Sequence, residues 1–223
     1  MKNALKKLPK QWQSMPIDPS KVRIVTYLGL YERTYVNMLF DAYCTAEKGD
    51  FSSLAVMSLM YDQLMANFEN VGDLLSKTYS SVTDPKRDFL TELDDTDSAI
   101  GSPMSLMAWG AFQHSQWPVK PVVSEHPPTQ TSPIDTLIVY GSKEAAQSFQ
   151  EKHGSMFTNA KWVTFDDLGH MDVWKIIGAG MKHMIHHFID NGKVDTSKIS
   201  AIPNWDFTPQ MTFYQMFQQM TAQ

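Results

Sequence analysis

The sequence is short of cysteine, lacks an excess of positive charge and contains no long apolar run. A single cysteine, Cys44, excludes an internal disulfide and a cysteine-rich zinc site. The net charge of −5 is opposite in sign to the basic stripe that nucleic-acid binding requires, so we expect no nucleic-acid partner. No apolar run approaches the about 20 residues that cross a bilayer, so we expect no membrane partner. What remains, 43% hydrophobic and 19% charged residues, is the composition of a globular protein.

The first half of the chain is predicted to be mainly helical, over residues 18–100. Asp18 has the side chain of an N-cap, and Pro19 suits the first helical position. The "KGD" sequence at 48–50 predicts a break, after which Ser52 would cap a second long helix. The apolar face of that helix is predicted to contain Leu54, Met57, Met60, Tyr61 and Leu64.

Two polar segments separate this helical half from the rest of the chain. Residues 92–103 are rich in acidic side chains and predict a loop. Residues 118–133 hold five of the twelve prolines, which excludes a helix there.

The second half of the chain has the pattern of a parallel α/β sheet. The run "DTLIVYG" at 135–141 is short, apolar and ended by glycine, which is typical of a strand covered on both faces. The elements predicted after it are a helix at 144–154, a strand at 161–165 and a helix at 173–190. The order strand, helix, strand, helix predicts an α/β fold with parallel strands and flanking helices.

The number of predicted strands is small for such a sheet. A strand as apolar as residues 136–140 favours an interior position, with a neighbour on each edge. A sheet of only two strands is marginal. We therefore expect this sheet to be part of a larger one, completed by another polypeptide or by residues outside the sequence.

The turn "FDDLGHMDVW" at 165–174 places His170 between the second strand and the last helix. Loops at the carboxyl ends of parallel strands are where α/β sheets carry reactive groups. Acyl transfer needs a base of near-neutral pKa within reach of a hydroxyl, and histidine meets that need. Gly169 would permit a tight turn beside it. The alternative is a partly buried turn histidine without a chemical role.

Five segments, in this order and spacing, resemble the C-terminal portion of bacterial tripeptidyl/prolyl-aminopeptidase-like hydrolases of the α/β-hydrolase superfamily. The segments are "KGDFSSLA" (48–55), "GSPMSLMAWGAFQHSQWPV" (101–119), "TLIVYGSKE" (136–144), "DLGHMDVW" (167–174) and "FIDNGKVDTS" (188–197). The resemblance implies a helical lid over residues 1–117, a proline-rich connection over 118–134 and the C-terminal part of the hydrolase core over 135–223. It also implies that the N-terminal half of the fold, which bears the nucleophile, is absent from these residues.

The resemblance implies a serine hydrolase that cleaves small peptides or esters through an acyl-enzyme, without a cofactor. His170 falls on the position of the general base, and Glu144 falls on the acid, where the family usually has aspartate. The nucleophile motif G-x-S-x-G does not occur in this sequence. We therefore expect a separate N-terminal hydrolase portion to supply the serine, and the chain alone to be inactive.

Glu144 and His170 each have alternatives that the residues leave open. Glu144 also suits a solvated position in the first turn of a helix, favoured by the helix dipole. Asp172 is a substitute for the group that orients the imidazole, ahead of Asp166 and Asp167. The alternative function is non-catalytic: a split or degenerate hydrolase remnant that acts as a binding module.

His183 and His187 are four residues apart on one predicted helix face, as in metal-binding helices. No third ligand has suitable spacing, so we expect no metal site. We expect both to be surface or helix-end histidines that interact with the dipole at the carboxyl end of the helix.

Overall fold

The computed structural model of the chain describes residues 1–68, 71–80, 131–144 and 146–222, with the isolated positions 86, 88, 90, 91, 100 and 118. The predicted loop at 92–103 and the proline-rich segment at 118–133 lie almost entirely outside these residues. The described chain is mixed α/β, as predicted, and contains parallel and antiparallel strand pairs. It forms two compact units: residues 1–28, 38–125 and 209–223 make the first, and residues 29–37 and 126–208 make the second. The three segments implied by the hydrolase resemblance stay a prediction.

Most of the described elements up to residue 80 are helices, whereas strands and helices alternate from residue 136 to residue 176. Up to residue 80 they are α1 (Lys2–Lys6), β1 (Gln11–Trp12), β2 (Met15–Pro16), α2 (Pro19–Gly29), α3 (Arg33–Glu47), α4 (Ser52–Phe68) and α5 (Val71–Ser80). From residue 131 they are β3 (Thr136–Gly141), α6 (Ala146–His153), a 3₁₀ turn (Gly154–Met156), β4 (Ala160–Phe165), α7 (Asp172–Ile176), α8 (Gly178–Asn191) and α9 (Phe213–Thr221).

Helix α2 begins where its capping signal predicts. The Asp18 carboxylate accepts hydrogen bonds from the backbone N–H of Ser20 at 2.8 Å and of Lys21 at 3.4 Å, and Pro19 is the first helical residue. These bonds satisfy N–H groups that have no partner inside the helix. The Ser58 hydroxyl accepts from the Asp18 N–H at 3.0 Å, which ties the start of α2 to α4.

The predicted break at 48–50 is present, but the cap that follows it differs from the prediction. Gly49 has a φ of 99°, which favours glycine, and it ends α3. Ser52 is the first residue of α4 rather than its cap, since the Asp50 carboxylate accepts from the Ser52 N–H at 3.0 Å. Phe51 takes the cap position, because its carbonyl accepts from the Ala55 N–H at 2.9 Å, and Asp50 lies one residue before it.

The core of the first unit lies among α2, α3 and α4. The Thr26 and Tyr43 hydroxyls share a hydrogen bond of 2.7 Å in its fully buried interior, where desolvation raises the pKa of the Tyr43 phenol. Leu54 and Met57, from the predicted apolar face of α4, are fully buried, and Phe213 of α9 is buried as well. Apolar packing therefore surrounds this hydrogen-bonded pair, whose two hydroxyls satisfy each other.

The second unit has the predicted order of strand, helix, strand and helix. Strands β3 and β4 pair in parallel with no offset, from Thr136 opposite Ala160 to Gly141 opposite Phe165. The last helix differs from the prediction, because Ile177 separates α7 from α8 in place of one continuous helix. Two glycines, at 178 and 180, lower the helix propensity at this break.

Helices cover both faces of this strand pair. On one face, the strand residues Leu137, Val139, Val163 and Phe165 pack with Leu168, Val173, Ile177, Met181 and Met184. On the other face, Tyr140 and Trp162 meet edge-on, and the Tyr140 hydroxyl bonds Gln150 of α6 at 2.9 Å. The first four residues of β3 stay half-buried, so the strand is less enclosed than its sequence predicts. Within the described residues, β3 and β4 pair with each other and with no other named strand.

The end of β3 touches the turn after β4 at Gly141. A Cβ added to Gly141 would lie 2.0 Å from the Leu168 carbonyl oxygen, which is backbone and has no freedom to rotate away. Glycine is required here by this close approach rather than by its φ angle.

We therefore expect Gly141→Ala to lower the free energy of unfolding by about 3 kcal/mol, the upper end of the usual cost of overpacking. Gly178→Ala is the matched control, because a Cβ there meets no atom within 4 Å, and it should be neutral or stabilise the fold by up to about 1 kcal/mol. Chemical denaturation of both variants measures the difference. Equal stabilities would contradict the close approach.

Candidate active site

The predicted site residues lie at the carboxyl ends of the two parallel strands. Because β3 and β4 run in the same direction without offset, the turns that follow Gly141 and Phe165 leave the sheet side by side. The Lys143 N–H donates to the Leu168 carbonyl at 3.1 Å, and the Asp167 N–H donates to the Ser142 hydroxyl at 2.9 Å. The two turns are therefore joined by one backbone–backbone hydrogen bond and by one bond to the Ser142 side chain.

Glu144 and His170 form a hydrogen-bonded pair. The distance from Glu144 Oε2 to His170 Nδ1 is 2.8 Å, and Glu144 Oε1 accepts from the Gly141 N–H at 3.0 Å. An ionised carboxylate can only accept, so Nδ1 is the donor in this pair. The two residues singled out in the sequence thus meet in space, 26 positions apart, and their catalytic roles stay predictions.

The two partners differ in exposure. The His170 side chain is 54% exposed, whereas the Glu144 side chain is 19% exposed. Among the residues that the structure describes, none forms a hydrogen bond with His170 Nε2. A carboxylate on Nδ1 with an accessible Nε2 can orient an imidazole so that Nε2 accepts a proton from a hydroxyl.

Asp172, the alternative orienter, holds backbone rather than the imidazole. Its carboxylate is 1% exposed, and its two oxygens accept from the Gly169 N–H at 2.9 Å and the Arg33 N–H at 3.0 Å. Asp167 instead pairs with Lys143 at 3.0 Å on the surface. Glu144 is therefore the carboxylate that contacts His170.

Residues 31–33 complete the surroundings of the turn, and no sequence pattern predicts their place there. The Tyr31 carbonyl accepts from the Met171 N–H at 2.9 Å, and the Tyr31 ring lies edge-on to the imidazole with centroids 5.6 Å apart. The Arg33 guanidinium donates to the carbonyls of Asp167 and Pro203 and lies over the Trp205 ring. No local pattern reports contacts over such sequence distances.

The two histidines of α8 bind the segment that follows the helix. His183 Nε2 lies 2.9 Å from the Asp195 carboxylate, and His187 Nδ1 lies 2.9 Å from the Lys193 carbonyl. Each histidine therefore has a partner in the segment after the helix, and the interaction with the helix dipole stays a prediction. In the described part of the chain, no three His, Cys, Asp or Glu side chains converge as metal ligands.

In the described ranges, no helix is both long enough and apolar enough to cross a bilayer. Comparison with known protein families, with curated proteins and with solved structures gives no match to this chain.

The His183–Asp195 pair predicts a pH-dependent stability. The hydrogen bond from His183, followed by those from Ser197, holds the pKa of the Asp195 carboxyl well below its usual range. A carboxyl with a lowered pKa in the folded state stabilises the fold above its unfolded pKa, and this stabilisation is lost as the pH falls through the folded value.

We expect Asp195→Asn to lower the stability at neutral pH, and the difference from the unsubstituted protein to shrink once the pH falls below about 4. Denaturation curves across this pH range measure it. Asp190→Asn, at an exposed position of the helix that carries His183, is the control and should show no such trend. A difference that stayed constant with pH would contradict the assignment.

Proposed function

We propose that the chain is the lid and C-terminal part of an α/β-hydrolase that cleaves small peptides or esters through an acyl-enzyme. His170 is the general base in this proposal, and Glu144 orients it. The observation that carries the proposal is the 2.8 Å contact between Glu144 and His170 at the carboxyl ends of two adjacent parallel strands. The sequence resemblance supports the same two roles.

The geometry of Glu144 suits the part of the triad acid. One of its oxygens is fixed by the Gly141 N–H, so the other is held toward His170 Nδ1. The bond to Gly141 compensates for the extra methylene that glutamate has over aspartate, because it restrains the longer side chain. An imidazole with its Nδ1 proton held in this way presents Nε2 as the acceptor.

In the proposed reaction, a serine hydroxyl gives its proton to His170 Nε2 as its oxygen attacks the substrate carbonyl. The imidazolium then gives the proton to the leaving amine or alcohol, and water hydrolyses the acyl-enzyme by the same route. Glu144 stays ionised and stabilises the imidazolium. No step requires a cofactor.

The serine is proposed to come from a polypeptide portion outside these residues. The sequence holds no G-x-S-x-G, and the apolar strand β3 is only half-buried along most of its length. Strands of this composition are normally paired along both edges. A neighbouring strand would enclose β3 and bring a nucleophile to the same edge of the sheet.

The second candidate function is a non-catalytic binding module derived from such a hydrolase. The absence of the serine motif from the sequence favours it for the chain by itself. The two proposals differ in one measurable property, which is the presence of an activated serine in the complete protein or complex.

The chain should be expressed with the coding sequence that precedes it in its genome and treated with a fluorophosphonate probe. We expect labelling of a serine outside these residues, and hydrolysis of an aminoacyl amide or ester. His170→Ala should reduce turnover by at least about 10³-fold, because the base is lost. His186→Ala, at another exposed histidine, is the control and should retain turnover.

Glu144→Gln tests the orienting role separately. A glutamine amide can donate to Nδ1 and thereby favour the wrong imidazole tautomer, so we expect a loss of about 10²-fold to 10⁴-fold in kcat. Turnover that survives His170→Ala would remove the hydrolase mechanism. Absence of labelling with all partners present would favour the binding module.

A further inference from the structure

The turn that carries His170 is held at both ends by one arginine. The Arg33 guanidinium donates to the carbonyl of Asp167 at the start of the turn, and the Arg33 N–H donates to the Asp172 carboxylate at its end. The guanidinium Nε also lies 3.8 Å from Asp172 Oδ2. His170 lies between these two attachment points. We call Arg33 and Asp172 together the turn clamp.

The buried Asp172 carboxylate needs hydrogen-bond donors and a positive charge nearby to offset the cost of removing it from water. It is 1% exposed, and a buried charge is costly unless it is hydrogen-bonded and paired. Its two oxygens each take one backbone N–H, from Gly169 and from Arg33. The carboxylate therefore links the residue before His170 directly to the other half of the clamp.

The Arg33 side chain is itself fixed by contacts on its other sides. One guanidinium nitrogen donates to the Pro203 carbonyl at 2.8 Å, and the group lies 4.7 Å from the centre of the Trp205 ring. Arginine suits this position because its planar group can donate in several directions and stack on an aromatic face at the same time. The lysine ammonium group is a compact charge without a planar set of donors.

We propose that Arg33 and Asp172 are positioning residues that set the backbone of the turn so that His170 Nδ1 reaches Glu144. This inference rests on the proposed function for its catalytic meaning. The imidazole is 54% exposed and meets one aromatic ring, that of Tyr31, so packing alone restrains it weakly. Its place is set by the backbone on either side, where Gly169 and Met171 donate to Asp172 and to Tyr31. A displacement of about 1 Å at such a group is enough to impair catalysis.

Asp172→Asn tests the clamp with almost no change in shape. An amide presents one acceptor oxygen and one NH₂ group to two N–H donors, so one of the two backbone bonds is lost. Asp167→Asn is the matched control: it changes an exposed carboxylate in the same turn, and asparagine accommodates its φ of 59°. Arg33→Lys removes the guanidinium, which donates to two carbonyls, and keeps the backbone N–H and the positive charge.

The readout is the imidazole tautomer in proton–nitrogen correlation spectra of the histidine rings, which need neither substrate nor serine. In the unsubstituted protein we expect His170 as a single tautomer with its proton on Nδ1. Asp172→Asn and Arg33→Lys should shift its ring nitrogens toward the averaged positions of a free imidazole, for which the exposed His186 serves as an internal reference. Asp167→Asn should leave the spectrum unchanged.

A folded Asp172→Asn protein with the unsubstituted His170 spectrum would overturn the proposal. If that variant does not fold, an unchanged His170 spectrum in Arg33→Lys overturns it instead. In the complete hydrolase, the clamp variants should lower kcat by at least about tenfold while KM changes less. Clamp variants that shift the spectrum in a protein without an activated serine would support the clamp and refute only the proposed function.

Discussion

The close approach of Gly141 to the Leu168 carbonyl determines where the candidate site can lie. The absent Cβ lets the end of β3 contact the backbone of the turn after β4, and the Lys143 N–H then donates to that same carbonyl. The two turns are thereby joined before any side chain contributes. Glu144 takes its position from Gly141, and His170 takes its position from the other turn, so their pairing follows from backbone geometry.

The second constraint is electrostatic and acts on the turn itself. A buried carboxylate at Asp172 is tolerated because two backbone N–H groups and a guanidinium face it. The site therefore contains two acidic residues of different kinds. Glu144 contacts the imidazole, whereas the buried Asp172 holds the chain that carries it. Glu144 is close to His170 in space, and Asp172 is close to it in the sequence. Their different surroundings give the two carboxylates different contacts.

The sequence predicted the elements that depend on local composition. The apolar runs of β3 and β4, the cap at Asp18 and the break at Gly49 all follow from residues next to one another. The meeting of Glu144 and His170 was predicted through a family pattern. The contacts of Arg33 could not be predicted from the sequence, because its bond to Asp172 joins residues 139 positions apart and leaves no periodic pattern. Asp172, an alternative orienter in the sequence analysis, instead holds backbone N–H groups, and only the folded structure shows those partners.

The proposed function of the second unit depends on what pairs with its two strands. Helices α6 and α8 cover the faces of the sheet, so a further polypeptide can gain little by packing there. The strand edges are different: β3 carries no charged residue among Thr136–Gly141, whereas β4 includes Lys161, and charged residues are a common protection of edge strands. Pairing is therefore expected along β3 rather than along β4. A strand added there would run past the turn that holds Glu144, and a serine at its carboxyl end would lie on the side of the sheet where His170 is held.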